Sequence, residues 1–465
     1  MLRCSIISFA LLLAASAAPA SERADWIVSA GWVLTMDGGR RIIQDGAVAI
    51  RGDRILAADR RREIEARFRS QHRLARPAAL LAPGLVNAHT HAPMSLLRGL
   101  ADDLRLREWL EDYIFPAEAR NVTAEFVRWG TRLACLEMML GGTTTFAEMY
   151  YFEDVVGEAT REAGLRGVLG ETIIGFPAPD AKTPEAALEF TERFIRRFRD
   201  DPLIVPAVAP HAHYTNSEQT MRACRALANR YGVPLMTHLA ETRPVHEETL
   251  ARYGMSPVRL LDSWGVFEGR TLAAHVVWVD DADLEILKRR GVGVAHCPSS
   301  NSKLASGVAP VTRMLALGLA VGLGTDGPAG SNNDFNLFEE MDLAAKLQKV
   351  TTGDPSALPA RQAVEMATVL GARALGLEKE IGSLEAGKRA DLITVRLEGP
   401  HALPLYDLYS HMVYALKAGD IQDVMVNGRW VVRERRSLTL DAGQILARAR
   451  QYGEQVKASL AKTTR

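Results

Sequence analysis

Between residues 82 and 377 the chain alternates short apolar runs of strand length with stretches whose apolar residues recur at helical spacing. Such an alternation reads as a series of βα units, and the (β/α)8 barrel is the closed form of that series. Four of the apolar runs end in groups that bind metals. Leu85-Val86-Asn87-Ala88 runs into His89-Thr90-His91, and Leu235-Met236-Thr237 runs into His238. Leu272-Ala273-Ala274 runs into His275, and Val321-Gly322-Leu323-Gly324-Thr325 runs into Asp326. In a barrel, residues at the carboxyl ends of the strands converge on one site. Imidazoles and a carboxylate together suit a divalent ion of intermediate hardness, zinc first, with iron or manganese also accommodated.

Length and charge narrow the partners. A chain of 465 residues has room for a barrel of about 250 residues and a smaller accessory piece. Lys plus Arg and Asp plus Glu both number 56, so no basic surface for nucleic acid is expected. Cys4, Cys135, Cys224 and Cys297 are widely separated and contain no CxxC pair, which argues against a disulfide framework. Met1-Leu2-Arg3, the apolar stretch 6–15 and Ala18-Pro19-Ala20 follow the order of an export leader, with a mature start near Ser21. That stretch is too short to span a bilayer comfortably, and no later run is long enough, so stable membrane insertion is not expected.

The two ends of the chain share a composition. Residues 26–58 are short β-like runs separated by turns, and the pattern returns in Ala390-Asp391-Leu392-Ile393-Thr394-Val395 and 424–432. Asn427-Gly428 marks a hairpin turn. Neither end can build a good core alone, so the ends are expected to fold together beside the central unit. Helices are expected over 124–140 and 217–231, and a long loop over the pocket mouth is expected at 98–118.

His89, His91, His238 and Asp326 form the expected metal set. A bound ion lowers the pKa of its water toward about 7, and Glu241, three residues after His238, is placed to move the water's proton. His275 is either a fourth imidazole ligand or, better, a hydrogen-bonding partner of the nucleophile. His211 ends the run 203–209 and is placed to touch substrate, with at least one of His211 and His213 structural. His296 is open between lining the pocket and satisfying backbone, whereas His72, His246, His401 and His411 lack strand-end positions. Lys182 lies in a polar loop and no lysine ends the neighbouring strands, so a single-metal site is expected.

These stretches resemble the amidohydrolase superfamily, in the branch of 5'-methylthioadenosine/S-adenosylhomocysteine deaminases and triazine-type hydrolases. The resemblance rests on the run from Pro83 to His91, Arg98-Gly99-Leu100-Ala101-Asp102-Asp103, Thr237 to Thr242, Gly324 to Pro328 with Ser331-Asn332-Asn333-Asp334, and Gly382 to Leu392. It implies a distorted (β/α)8 barrel flanked by a small β-sandwich, usually in a homodimer. The corresponding boundaries are 1–20 for the leader, 21–81 and 381–440 for the two parts of the sandwich, 82–380 for the barrel, and 441–465 for a helical tail. It places Glu241, His275 and Asp326 in catalysis, and Trp109, Glu118 and His211 against the substrate. Glu118 would hold the ribose hydroxyls, since a carboxylate can accept from both groups of a diol.

The activity implied is hydrolysis of a C–N bond in a cyclic amidine, at C6 of an adenine nucleoside such as 5'-methylthioadenosine, adenosine or S-adenosylhomocysteine, with release of ammonia. The competing reading within the superfamily is attack on a guanine-like, triazine or cyclic-amide ring, including aryl-chloride hydrolysis. A metal-binding protein without activity is disfavoured because the ligand and acid/base candidates are all present. Some deaminases of the branch have an arginine after the fourth strand, where Glu171 is expected here. A glutamate there would repel the carboxylate of a homocysteine tail.

Overall fold

The computed structural model describes residues 22–461, and the leader-like segment 1–20 lies outside them. Eight parallel strands close into a barrel: Leu85–Thr90, Thr143–Tyr150, Arg166–Ile173, Ile204–Pro210, Leu235–Leu239, Thr271–His275, Gly293–His296 and Val321–Leu323. Nearly every residue in them is buried, because side chains fill the barrel on one face and meet the surrounding helices on the other. The seam between the last strand and the first pairs Leu323 with Asn87. Asn87 also locks it with its side chain, donating to Thr325 Oγ1 at 2.8 Å and accepting from the Thr325 amide at 3.1 Å.

Local signals set the outer helices. Ala124–Leu140 begins at Thr123, whose hydroxyl accepts from the Phe126 amide. Glu218–Tyr231 begins at Ser217 in the same way and stops at Gly232, which takes the left-handed conformation at φ 66°. Both agree with the expected spans. The mouth segment does not: helical turns run through Leu106–Glu108, Trp109–Ile114 and Phe115–Asn121, the middle piece being a π-helix. Leu106, Trp109, Leu110 and Ile114 are buried, and helical winding is what puts these four on one face over the barrel.

Strands from both chain ends join in one eight-stranded sheet, in which His72–Pro83 pairs antiparallel with Leu392–Arg396. The Asn427-Gly428 hairpin is present, with φ of 50° and 75° at its two turn residues and Val426 paired to Arg429. The helix Ala442–Ala461 returns to the barrel, where Tyr452 meets Phe126 edge to face at 5.4 Å. Among the described residues no helix is long and apolar enough to cross a membrane.

Candidate active site

The strand-end residues meet at one point. Atoms of His89, His91 and Asp326 lie within 4.8 Å of one another, as do atoms of His89, His238 and His275. His91 donates from Nδ1 to the Met149 carbonyl at 2.7 Å, and His238 donates from Nδ1 to the His211 carbonyl at 2.9 Å. A carbonyl can only accept, so both rings are fixed with Nε2 as the free ligand atom. Their Nε2 atoms stand 3.3 Å apart, and Asp326 Oδ1 lies 3.2 Å from His91 Nε2 and 3.4 Å from His89 Nε2. Nε2 of His89 is buried and has no hydrogen-bond partner. An orphaned imidazole nitrogen facing two aimed Nε2 atoms and a carboxylate fits a divalent cation, and the N3O donor set is one that zinc takes.

Electrostatics agree with that fit. Burial lowers His89 to about 4 and holds His238 well below the ordinary value, so both are neutral donors. Burial also works against protonation of His91, but its hydrogen bond to Asp326 and that carboxylate's charge outweigh burial and raise it to about 9. Burial works to raise Asp326, but the close His89 and His91 imidazoles outweigh it and hold the carboxyl well below the usual range. The proton that these groups share is one a metal ion displaces on binding. Asp326 is further fixed by the Ser300 hydroxyl, which donates to Oδ2 at 2.6 Å, and by the Gly327 amide, which donates to Oδ1 at 2.8 Å.

Three site residues carry backbone strain. Ala240, His275 and Asp326 have φ of 49°, 73° and 64°, in the left-handed region that non-glycine residues rarely adopt. Glu241 is buried, and burial, with the charge of Asp326 second, raises its carboxyl to about 8. Its Oε2 lies 3.9 Å from His275 Nε2. His275 donates from Nδ1 to Asn301 Oδ1 at 3.0 Å.

Around the ligand cluster is a chamber with about 50 Å³ of free space, walled by Trp109, Glu118, Tyr150, His211 and Glu241 among others. Leu106, Leu110, Phe115, Tyr214 and Leu304 also wall an outer cavity of about 1100 Å³. Trp109 is held over the ligand cluster by donating from Nε1 to the Ala329 carbonyl at 2.9 Å. Gly330 permits this approach, since a Cβ there would come within 1.8 Å of the Ala101 carbonyl oxygen and 2.6 Å of Trp109 Nε1. His211 is lowered to about 3, first by burial and then by the neighbouring imidazole His91.

Every residue expected at the site from sequence therefore meets here: His89, His91, Trp109, Glu118, His211, His238, Glu241, His275 and Asp326. Three weaker readings resolve. His213 lines the outer cavity, with its Nε2 2.8 Å from Thr249 Oγ1, and His296 is buried with neither ring nitrogen paired. Lys182 donates to the Ala178 carbonyl at 2.9 Å. The expectation for Glu171 is corrected. It lies within the third barrel strand, not after the fourth, and its carboxylate accepts from the Glu153 amide at 3.0 Å, while the adjacent Thr172 lines the chamber. Side chains alternate along a strand, so a slip of one residue exchanges the two faces. Tyr150, Ser300 and Asn301 were not anticipated; the aromatic pair Tyr150-Tyr151 at a strand end was the available signal for the first.

Residues 80–431 match the amidohydrolase family. A 5-methylthioadenosine/S-adenosylhomocysteine deaminase of Syntrophobacter fumaroxidans is 47% identical over 437 residues, which is 94% of this chain and 99% of the relative. A 5'-deoxyadenosine deaminase of Methanosarcina acetivorans is 43% identical, with the same coverage of 94% and 99%. Among solved structures, an adenosine deaminase of Xanthomonas campestris with bound zinc superposes with a TM-score of 0.92 at 38% identity, covering 94% of this chain and 100% of its own.

Proposed function

Because this chain belongs to the amidohydrolase family, we propose that it is a metal-dependent hydrolase that deaminates an adenine nucleoside at C6. Methylthioadenosine, 5'-deoxyadenosine, adenosine and S-adenosylhomocysteine are the substrate class. The carrying observation is the pairing, in one chamber, of the His89–His91–His238–Asp326 ligand set with a buried Glu118 that suits a diol. A triazine ring offers no such diol, so Glu118 favours the nucleoside over the triazine-type reading.

His89, His91, His238 and Asp326 would hold one ion, zinc in this reading, with iron or manganese as substitutes. The ion supplies the Lewis acidity that makes water nucleophilic at neutral pH. Glu241 receives the proton of the attacking water and delivers it to purine N1. Its raised pKa suits it to both halves of that transfer. His275, fixed by Asn301, holds the oxygen that adds to C6. The second water proton leaves with the amino group as ammonia while the C6–N bond breaks. Trp109 and His211 wall the purine, and Glu118 accepts from the ribose hydroxyls.

The homodimer and the export step belong to the same proposal. The former rests on the family resemblance and the latter on Arg3, the apolar stretch 6–15 and Ala18-Pro19-Ala20. The activity is tested by offering metal-loaded protein adenosine, methylthioadenosine, 5'-deoxyadenosine, S-adenosylhomocysteine, guanine and chlorotriazines, following ammonia and chloride together. Ammonia from the adenine nucleosides supports the reading. Chloride from a triazine with no nucleoside turnover overturns it.

A further inference from the structure

Glu118 belongs to the helix Phe115–Asn121 that covers the chamber, whereas Tyr150 ends the barrel strand Thr143–Tyr150. The Tyr150 hydroxyl donates to Glu118 Oε1 at 2.6 Å, and the two side chains are 3% and 4% exposed. The Tyr150 phenol donates directly to the Glu118 carboxylate, and the His91 charge and the Tyr151 hydroxyl also favour its ionised form. A buried carboxylate needs such partners to remain ionised. Tyr151 stands beside the pair, its ring centroid 4.9 Å from that of Tyr150.

We propose that Tyr150 is a positioning residue for ribose recognition, fixing Glu118 from the rigid barrel so that its carboxylate accepts from a vicinal diol. The inference rests on the nucleoside reading above. A carboxylate offers about four lone-pair sites, so the one that Tyr150 occupies leaves room for two ribose hydroxyls. The hydrogen bond also fixes the rotamer: with Oε1 tied to the strand, the carboxylate plane cannot turn toward the helix. Tyr150 therefore contributes to binding through Glu118 and takes no part in proton transfer at C6. The deoxynucleoside that lacks the diol gains nothing from this arrangement.

The test compares adenosine with 2',3'-dideoxyadenosine on metal-loaded full-length protein. Tyr150→Phe should lower the selectivity for adenosine, as a ratio of kcat/KM values, about tenfold, with the change carried by the KM of adenosine. In a Glu118→Gln background the same substitution should alter that ratio less than about twofold, because the group it acts through is gone. Equal losses on both substrates would show that Tyr150 only docks the covering helix and would overturn the inference. So would a tenfold change that persists without Glu118. Wild-type protein that releases ammonia from neither nucleoside would overturn the nucleoside reading itself, and this inference with it; an unchanged ratio in an otherwise active variant removes only the inference.

Discussion

Burial raises two carboxyl groups of the chamber, Glu241 to about 8 and Glu118 to about 7, and each depends on protonation in its own way. Glu241 must accept and return a proton. Replacing it with Gln keeps the shape and removes the acceptor, so Glu241→Gln should hold about one metal equivalent per chain and lose roughly a hundredfold or more in kcat. Metal analysis beside steady-state kinetics checks this; near-normal turnover in the metal-replete variant would remove Glu241 from the role. Glu118 acts as an acceptor only when ionised. Burial, the first cause of its shift, raises it, and the Tyr150 hydrogen bond partly offsets that rise. The carboxylate form therefore grows as pH increases through about 7. Selectivity for adenosine over 2',3'-dideoxyadenosine should accordingly rise from pH 6 to pH 8 and then level off, while groups common to both substrates cancel in the ratio. A flat ratio across that range would detach Glu118 from diol binding.

At the scale of elements, the strands were legible because their message is local. Buried parallel strands are continuous apolar runs, and the residue that stops each run is the one the barrel delivers to the site, as with His89, His238, His275 and Asp326. What joins elements was less legible. Ser300 and Asn301 reach Asp326 and His275 from a short helix, Pro298–Lys303, and nothing in their own neighbourhood of sequence marks those partners. Glu171 was misplaced for a related reason: the strand was evident, but its register, which turns Thr172 toward the chamber, is fixed by pairing with Ile204–Pro210. The cover read as a loop because its charged residues mask the spacing of Leu106, Trp109, Leu110 and Ile114. It makes a prediction of its own. Free space of about 50 Å³ in the chamber is well below the roughly 300 Å³ at the small end of ligand pockets, and the cover residues Leu106, Leu110 and Phe115 stand between it and the outer cavity, so a shift of the cover is the expected way to admit a nucleoside. Hydrogen exchange in residues 106–121 should slow on binding a nucleoside inhibitor, with smaller changes in the barrel strands. Unchanged exchange in that segment would contradict a moving cover.

For the whole molecule, the sequence already placed a barrel between two chain ends that fold together. What it could not show is how they join, because the pairing of His72–Pro83 with Leu392–Arg396 links residues more than 300 positions apart. The leader-like segment gives a prediction that is independent of the fold: in the native host the mature chain should begin near Ser21, as read by amino-terminal sequencing of fractionated cells. An intact Met1 on cytoplasmic protein would contradict export and leave the chemistry untouched. In the proposed reaction, oxygen from water replaces the 6-amino group. Turnover of adenosine or methylthioadenosine by the metal-loaded protein in water enriched in oxygen-18, read by mass spectrometry with ammonia assayed alongside, tests it most directly. One labelled oxygen on the purine ring of a 6-oxo nucleoside is expected for each ammonia released. Free adenine with the label on the ribose, or a labelled product formed without ammonia, would contradict it.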